Sequence, residues 1–237
     1  MRCPRGECPD WLNGAETSRA GGPTLGVDPP AGIISRVSTL AEVELEASSC
    51  VRCPLAAGRT KVVFGVGDPH ADLMLVGEGP GRDEDLAGEP FVGRSGQLLD
   101  RLLRQEMDLD RRSCYIANVV KCRPPGNRDP RPAEMAACRS YLDAQFDLIQ
   151  PRVVVTLGNV ATRAVMGTKD TIGHLRGRTY PYRHGSLVPT YHPAAVLRGG
   201  GEAMAQMRAD LVRAKQELHR LGQPGGETPG LVGQVRR

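Results

Sequence analysis

Four short apolar runs punctuate the chain: ADLMLVG (71–77), CYIANVVK (114–121), RVVVTLG (152–158) and SLVPTYHP (186–193). Each is bounded by turn residues and is apolar on both alternating faces. That pattern predicts buried parallel strands. Between and after them lie segments whose apolar positions recur every three or four residues. SGQLLDRLLRQEM (95–107) carries Leu98, Leu99, Leu102 and Leu103 on one stripe. RPAEMAACRSYLDAQFDLI (131–149) has Pro132 near its start, where the missing N–H costs nothing. NVATRAVMG (159–167) is a shorter helix, and EAMAQMRADLVRAKQELHRL (202–221) closes the series with Met204, Met207, Leu211, Leu218 and Leu221. Upstream, STLAEVELEASSC (38–50) has helical spacing, with Leu40, Val43 and Leu45 or Ala47 on one side. Strands alternating with helices predict an α/β fold, a parallel sheet covered on both faces.

The flanks lack this periodicity. Residues 1–40 are rich in Gly, Pro, Arg and Ser and are expected to be an unstructured extension. Residues 41–222 are the expected catalytic domain, and 223–237 a flexible tail. Cys3 and Cys8 lie in the extension and are expected to be unliganded thiols. The 237 residues are 40% hydrophobic, enough for a real core, and the formal charge of +4 is only a weak pointer to a polyanion. The N-terminus has no signal-peptide apolar run, and nothing approaches the ~18 apolar residues of a membrane span. A cytoplasmic protein with no membrane partner is expected. In that reducing compartment seven cysteines point to metal or catalysis rather than disulfides.

Ligands in such folds gather at the carboxyl ends of the strands. After the first strand comes GEGPGRDEDLAGEPFVGRSG (77–96), which is neither a dinucleotide fingerprint nor a phosphate loop. Gly77 and Gly79 free the backbone for close approach to a ligand, Glu78 stands between them, and Phe91 lies in a glycine-bounded loop. After the second strand, Asn118 is followed by a stiff basic loop with Lys121, Arg123, Arg128 and Arg131, suited to phosphate contacts or to plain solvation. After the fourth, His192 precedes a turn bearing Leu197 and Arg198. Each residue alone has an ordinary structural explanation. Together they offer an amide to read a base edge, a ring to stack on it and an imidazole to stabilise a base leaving as an anion. A carboxylate to hold water completes the set for hydrolysing an N-glycosidic bond on a flipped-out base.

Four stretches then carry a resemblance: CVRCPLAAGRTKVVFGVGDPHADLMLVGEGPG, DLAGEPFVGRSGQLLDRLL, YIANVVKCRPPGNRDPRPAEMAAC and YHPAAVLR. Across residues 46–220 the chain resembles the family 4, iron–sulfur uracil-DNA glycosylases. The resemblance implies a three-layer α/β/α sandwich around a four-stranded parallel sheet. It implies that Glu78 helps place the attacking water and that Phe91 stacks on uracil. Asn118 would recognise the uracil edge, and His192 would stabilise charge on the leaving base. Leu197 and Arg198 would belong to the segment that wedges into DNA and holds a phosphate. Gly79 replaces the alanine of the common G-E-A-P-G motif. The loop RPPGNRDPRP lacks the histidine with which a relative in the superfamily traps its product, so turnover is expected.

The resemblance also joins Cys50 and Cys53 to Cys122 and Cys138 as a four-thiolate site. Spacing alone suits zinc and [4Fe–4S] equally; the family favours a structural [4Fe–4S] cluster. Cys114 is expected to be a buried apolar residue. The expected partner is uracil-containing DNA, single- or double-stranded, bound by a monomer. The N-terminal extension is the expected place for a repair or clamp partner. A non-enzymatic DNA-binding module and an enzyme acting on free nucleosides are the alternative readings.

Overall fold

The structure, a computed structural model, describes residues 39–222. The expectations for residues 1–38 and for the tail, including Cys3 and Cys8, lie outside the described residues; Thr39 and Leu40, assigned to the extension, cap and open the first helix instead. The helices are α1 (Leu40–Ser48), α2 (Arg82–Ala87), α3 (Arg94–Leu102), α4 (Pro132–Ile149), α5 (Gly158–Met166), α6 (Ile172–Leu175) and α7 (Pro193–Gly222). The strands are β1 (Val66–Gly67), β2 (Leu73–Gly77), β3 (Tyr115–Asn118), β4 (Val153–Leu157), β5 (Tyr180–Tyr182) and β6 (Gly185–Thr190).

The four apolar runs form the centre of the sheet. β3, β2, β4 and β6 lie side by side and all parallel, which agrees with the expected four-stranded core. The sheet is wider than expected, with the order β1-β3-β2-β4-β6-β5. The two added edge strands run antiparallel and are only two and three residues long, too short to announce themselves as periodic runs.

Alternation along β2 divides the core. Met74 and Val76 face a layer containing α1, α4 and α5, where Val43, Tyr141, Leu142, Phe146 and Ala161 are buried. Leu73 and Leu75 face α3 and α7, against Leu99, Leu102, Met207 and Leu211. Helices therefore cover both faces, as near-continuous apolar strands require.

Of the alternatives Leu45 and Ala47 the structure buries Ala47, and two further expectations need correction. Leu45 is 73% exposed; α1 buries Val43 and Ala47, an i, i+4 pair whose direction excludes a residue midway between them. The 95–107 helix is not uniform, because α3 passes into a π-helical turn, Leu103–Met107, that stops at Asp108 with a positive φ of 56°. Leu197 and Arg198 sit not on a turn but on the first helical stretch of α7, before a break at Gly200 (φ 73°). No helix among the described residues is long and apolar enough to cross a membrane.

Asp210 of α7 locks the far end of the sheet. It is buried, receives the Thr190 hydroxyl at 2.8 Å and the Gly177 amide at 3.1 Å, and takes two bonds of 3.0 Å from Arg176. Removing its carboxylate leaves a mostly buried guanidinium without its anion. Asp210→Ala is expected to destabilise the fold by about 3 kcal/mol, measured as a lower urea midpoint at unchanged m-value.

Candidate active site

The carboxyl ends of the parallel strands open onto one cavity of ≈ 680 Å³. Glu78, Gly79, Phe91, Asn118, His192 and Arg198 all line it, so residues spread over 120 positions of sequence meet as expected. Gly77 lies beneath them. A Cβ there would fall 2.4 Å from Asn118 Oδ1 and 2.6 Å from Phe91 Cζ, so only glycine lets these two side chains close over the strand end. A Cβ on Gly79 would likewise meet Val120 Cγ2 at 2.7 Å. The motif loop is held to the outgoing chain by Val119 N–H donating to Gly77 O and Val120 N–H donating to Glu78 O. Leu197 is exposed beside the cavity.

Asn118 is 1% exposed, and its Oδ1 has no hydrogen-bond partner. Phe91 is also buried, and its ring lies 5.6 Å from the His192 ring with a tilt of 31°. Its backbone has a positive φ of 55°, a costly conformation for a bulky side chain. The loop is bracketed on both sides. Arg111 donates to the carbonyls of Pro90 and Phe91, and the buried Glu84 accepts the amides of Val92 and Gly93, both at 3.0 Å.

His192 follows β6 and starts α7. Ala194 N–H donates to its Nδ1 at 3.2 Å, which places the proton of the neutral ring on Nε2. Burial, reinforced by the Arg198 charge, lowers its pKa from 6.5 to about 4, so the ring is neutral at physiological pH. Glu78 is displaced the other way. Burial, with Asp129 as a second negative charge, raises its carboxyl to about 7. A group with that pKa can accept a proton from water near neutrality.

The basic loop needs correction. Lys121 cannot reach a phosphate. It is 1% exposed, and its ammonium donates to Asn118 O at 2.9 Å and Gln145 Oε1 at 2.5 Å. Arg128 lines the cavity but is held in a bidentate pair by Glu134 (2.6 and 2.8 Å), whose pKa that bond draws down to about 2. Arg123 donates to Asn127, and Arg131 is exposed.

A second, smaller pocket is lined by Cys50, Cys53, Cys122 and Cys138, the four cysteines expected to act together. N–H groups point at three of the sulfurs. Arg52 Nε is 3.5 Å from Cys50 Sγ, Arg59 Nη1 is 3.5 Å from Cys122 Sγ, and the Lys121 amide is 3.3 Å from Cys138 Sγ. Among the described residues, no three or more His, Cys, Asp or Glu side chains are drawn to the spacing that would hold a metal ion. Cys114 is fully buried, and burial pushes its thiol up to about 12, consistent with an inert core residue.

Glu84, Asp129 and Gly158 also line the cavity and Arg111 braces its Phe91 loop, and none of the four belongs to the expected site. Gly158 was the accessible one. It follows β4 and opens α5 with a φ of 91°, and a Cβ there would press on His192 Cβ at 3.0 Å; its place just after the third strand is the signal that marks it. Nothing in RDED tells that Glu84 and Asp85 turn inward while Asp83 stays exposed.

Residues 64–217 match the family model described as the uracil DNA glycosylase superfamily. Among curated proteins, the type-4 uracil-DNA glycosylase of Sulfurisphaera tokodaii is 43% identical over 169 residues, 68% of this chain and 77% of the relative. That of Thermotoga maritima is 44% identical over 176 residues, 73% of this chain and 91% of the relative. A type-5 uracil-DNA glycosylase from Thermus thermophilus is more distant, at 33% over 141 residues.

The two displaced titrations are directly measurable. By NMR, the Glu78 carboxyl is expected to titrate near pH 7, and Asp129→Asn to move it downward. The His192 ring is expected to stay neutral, with the proton on Nε2, until about pH 4. Because the unfolded ring takes a proton more readily, His192 lowers stability progressively as pH falls from 6.5 towards 4. A Glu78 midpoint near its ordinary 4.5 would contradict the buried, acid-flanked setting.

Proposed function

The chain belongs to the uracil-DNA glycosylase superfamily, and from that membership we propose that it excises uracil from DNA. The reaction hydrolyses the N-glycosidic bond, leaves an abasic site and starts base-excision repair. The observation that carries this reading is the orphaned Asn118 Oδ1, buried between Phe91 and the end of β2. An unpaired buried acceptor costs about 1–3 kcal/mol. Uracil relieves that cost, because its N3–H donates to Oδ1 while its O4 accepts from the amide nitrogen. Cytosine presents an acceptor at N3 and a donor at C4, so it meets the same amide with both polarities reversed.

The remaining residues fit around that pairing. The Phe91 ring stacks on the flipped base. His192, neutral with its proton on Nε2, donates to uracil O2, where negative charge collects as the C1′–N1 bond breaks. The electron pair stays on the base, which leaves as an anion. Water forms the new bond to C1′, and its proton passes to Glu78. An imidazole with a low pKa suits this role, because it stabilises the anion by a hydrogen bond without transferring a proton. Leu197 fills the gap left in the stack, and Arg198 and the exposed Arg131 meet phosphates. The protein acts as a monomer on DNA, in the cytoplasm at the nucleoid.

Cys50, Cys53, Cys122 and Cys138 would hold a [4Fe–4S] cluster. Four cysteines lining one pocket, with N–H groups directed at their sulfurs, support this, since such donors stabilise thiolate charge. When bound, the cluster cross-links the segment after α1 to the basic loop and α4.

Incubation with a uracil-containing oligonucleotide, followed by alkali, is expected to cut at uracil and leave a matched thymine strand intact. His192→Ala is expected to lose about 10²–10³ in rate with DNA affinity retained. An inactive wild type carrying its full iron complement would favour a DNA-binding module instead. Cys122→Ser is expected to lose iron and visible absorbance and to unfold at lower temperature. A variant that keeps its full iron and absorbance would show that the ligand set is wrong, and an iron-free variant of unchanged stability would show that the cluster does not support the fold.

A further inference from the structure

Phe91 occupies a backbone conformation that a bulky residue avoids, and something must hold it there. Its φ of 55° costs about 1–3 kcal/mol. The ring cannot relax without leaving His192, 5.6 Å away. Gly96 of α3 contributes space, since a Cβ there would fall 1.7 Å from Phe91 O. Space alone does not fix an orientation.

The fixing group is Arg111, on the short 3₁₀ turn Arg111–Ser113 that leads into β3. Its Nη1 donates to Phe91 O at 3.1 Å, and its Nη2 donates to Pro90 O at 2.9 Å. The same guanidinium is oriented by Asp100 of α3, with contacts of 3.1 and 3.3 Å to the two carboxylate oxygens. Both side chains are largely shielded, at 22% and 18% exposure, so the pair is screened less than a surface one. A planar fork with several donors in fixed directions can hold two consecutive carbonyls and a carboxylate at once; an ammonium cannot reproduce that. Neither Arg111 nor Asp100 lines the cavity.

We infer that Arg111, oriented by Asp100, is a positioning residue that holds Phe91 in its strained conformation and so sets the stacking surface for the flipped base. The inference rests on the reading of Phe91 as that surface. Stacking acts on the bound base before and during bond breaking alike, so its loss shows mainly in KM.

The test compares Arg111→Ala, Arg111→Lys and Asp100→Asn, each alone and the first also combined with Phe91→Ala. Arg111→Ala is expected to raise KM for uracil-containing DNA about tenfold with kcat within about twofold. Lysine, able to hold one carbonyl, is expected to recover part of the loss, and Asp100→Asn to show a smaller effect of the same kind. In the Phe91→Ala background, Arg111→Ala is expected to change KM less than twofold, because a residue acting only through Phe91 has nothing left to position. Hydrogen exchange at the Val92 and Gly93 amides, measured without substrate, is expected to accelerate in Arg111→Ala and less in the lysine variant. Multiplicative losses in the double variant, or unchanged exchange at these amides, would overturn the inference. If the wild type releases no uracil, the glycosylase reading fails instead, and the exchange measurement still decides whether Arg111 holds the loop.

Discussion

One buried ammonium connects the two pockets of this molecule. Lys121 continues the chain beyond β3, and its side chain turns inward to the Asn118 carbonyl and the Gln145 amide oxygen. Gln145 in turn donates to Phe64 O and to the Tyr115 hydroxyl. The Lys121 amide bonds to Cys138 Sγ, and the next residue is Cys122. Taking an ammonium out of water costs several kcal/mol, and burial lowers its pKa to about 8 despite the opposing influence of Cys138. Such a group persists only when its partners are all in place. The cysteine pocket and Asn118 are therefore neighbours on one polar network, with α4 as its back wall.

The cavity itself follows from parallel topology. Parallel strands present all their carboxyl ends on one side, so Glu78 after β2, Asn118 ending β3, Gly158 after β4 and His192 after β6 are brought together without long loops. What the topology does not supply is closeness. Gly77, Gly79 and Gly158 supply that, each at a place where a Cβ would displace a neighbouring side chain. The opposed titrations of His192 and Glu78 come from the same enclosure. Burial disfavours charge on both, which lowers the pKa of one and raises that of the other.

Much of this was legible in the sequence, for physical reasons that also mark where legibility ended. Apolar runs of strand length and stripes of helical spacing report burial, and burial is what the sheet and its covering helices share. That Glu78, Asn118 and His192 share a cavity is legible because each sits at or just after a strand end. The burial of Lys121 is not legible, because a lysine among arginines and prolines has the pattern of a solvated loop and only the fold turns it into the interior. The spacing left Leu45 and Ala47 as alternatives because α1 is short enough for two apolar stripes to compete, and Ala47 is the buried one. Arg111, Asp100 and Glu84 act through backbone carbonyls and amides of a distant loop, and such contacts leave no periodic trace. The edge strands escaped because two or three residues carry no period.

Those edge strands have a consequence for how the molecule behaves in a crowded solution. A parallel sheet of four apolar strands left open would present two rows of unpaired amides and carbonyls, a template for other chains. Here one side is closed by two residues, Val66 and Gly67, and the other by three that include Pro181, which has no amide to offer. Five residues thus stand between the most apolar part of the chain and intermolecular pairing. Substitutions at these inconspicuous positions would show their effect in yield and aggregation before any change appeared at the cavity.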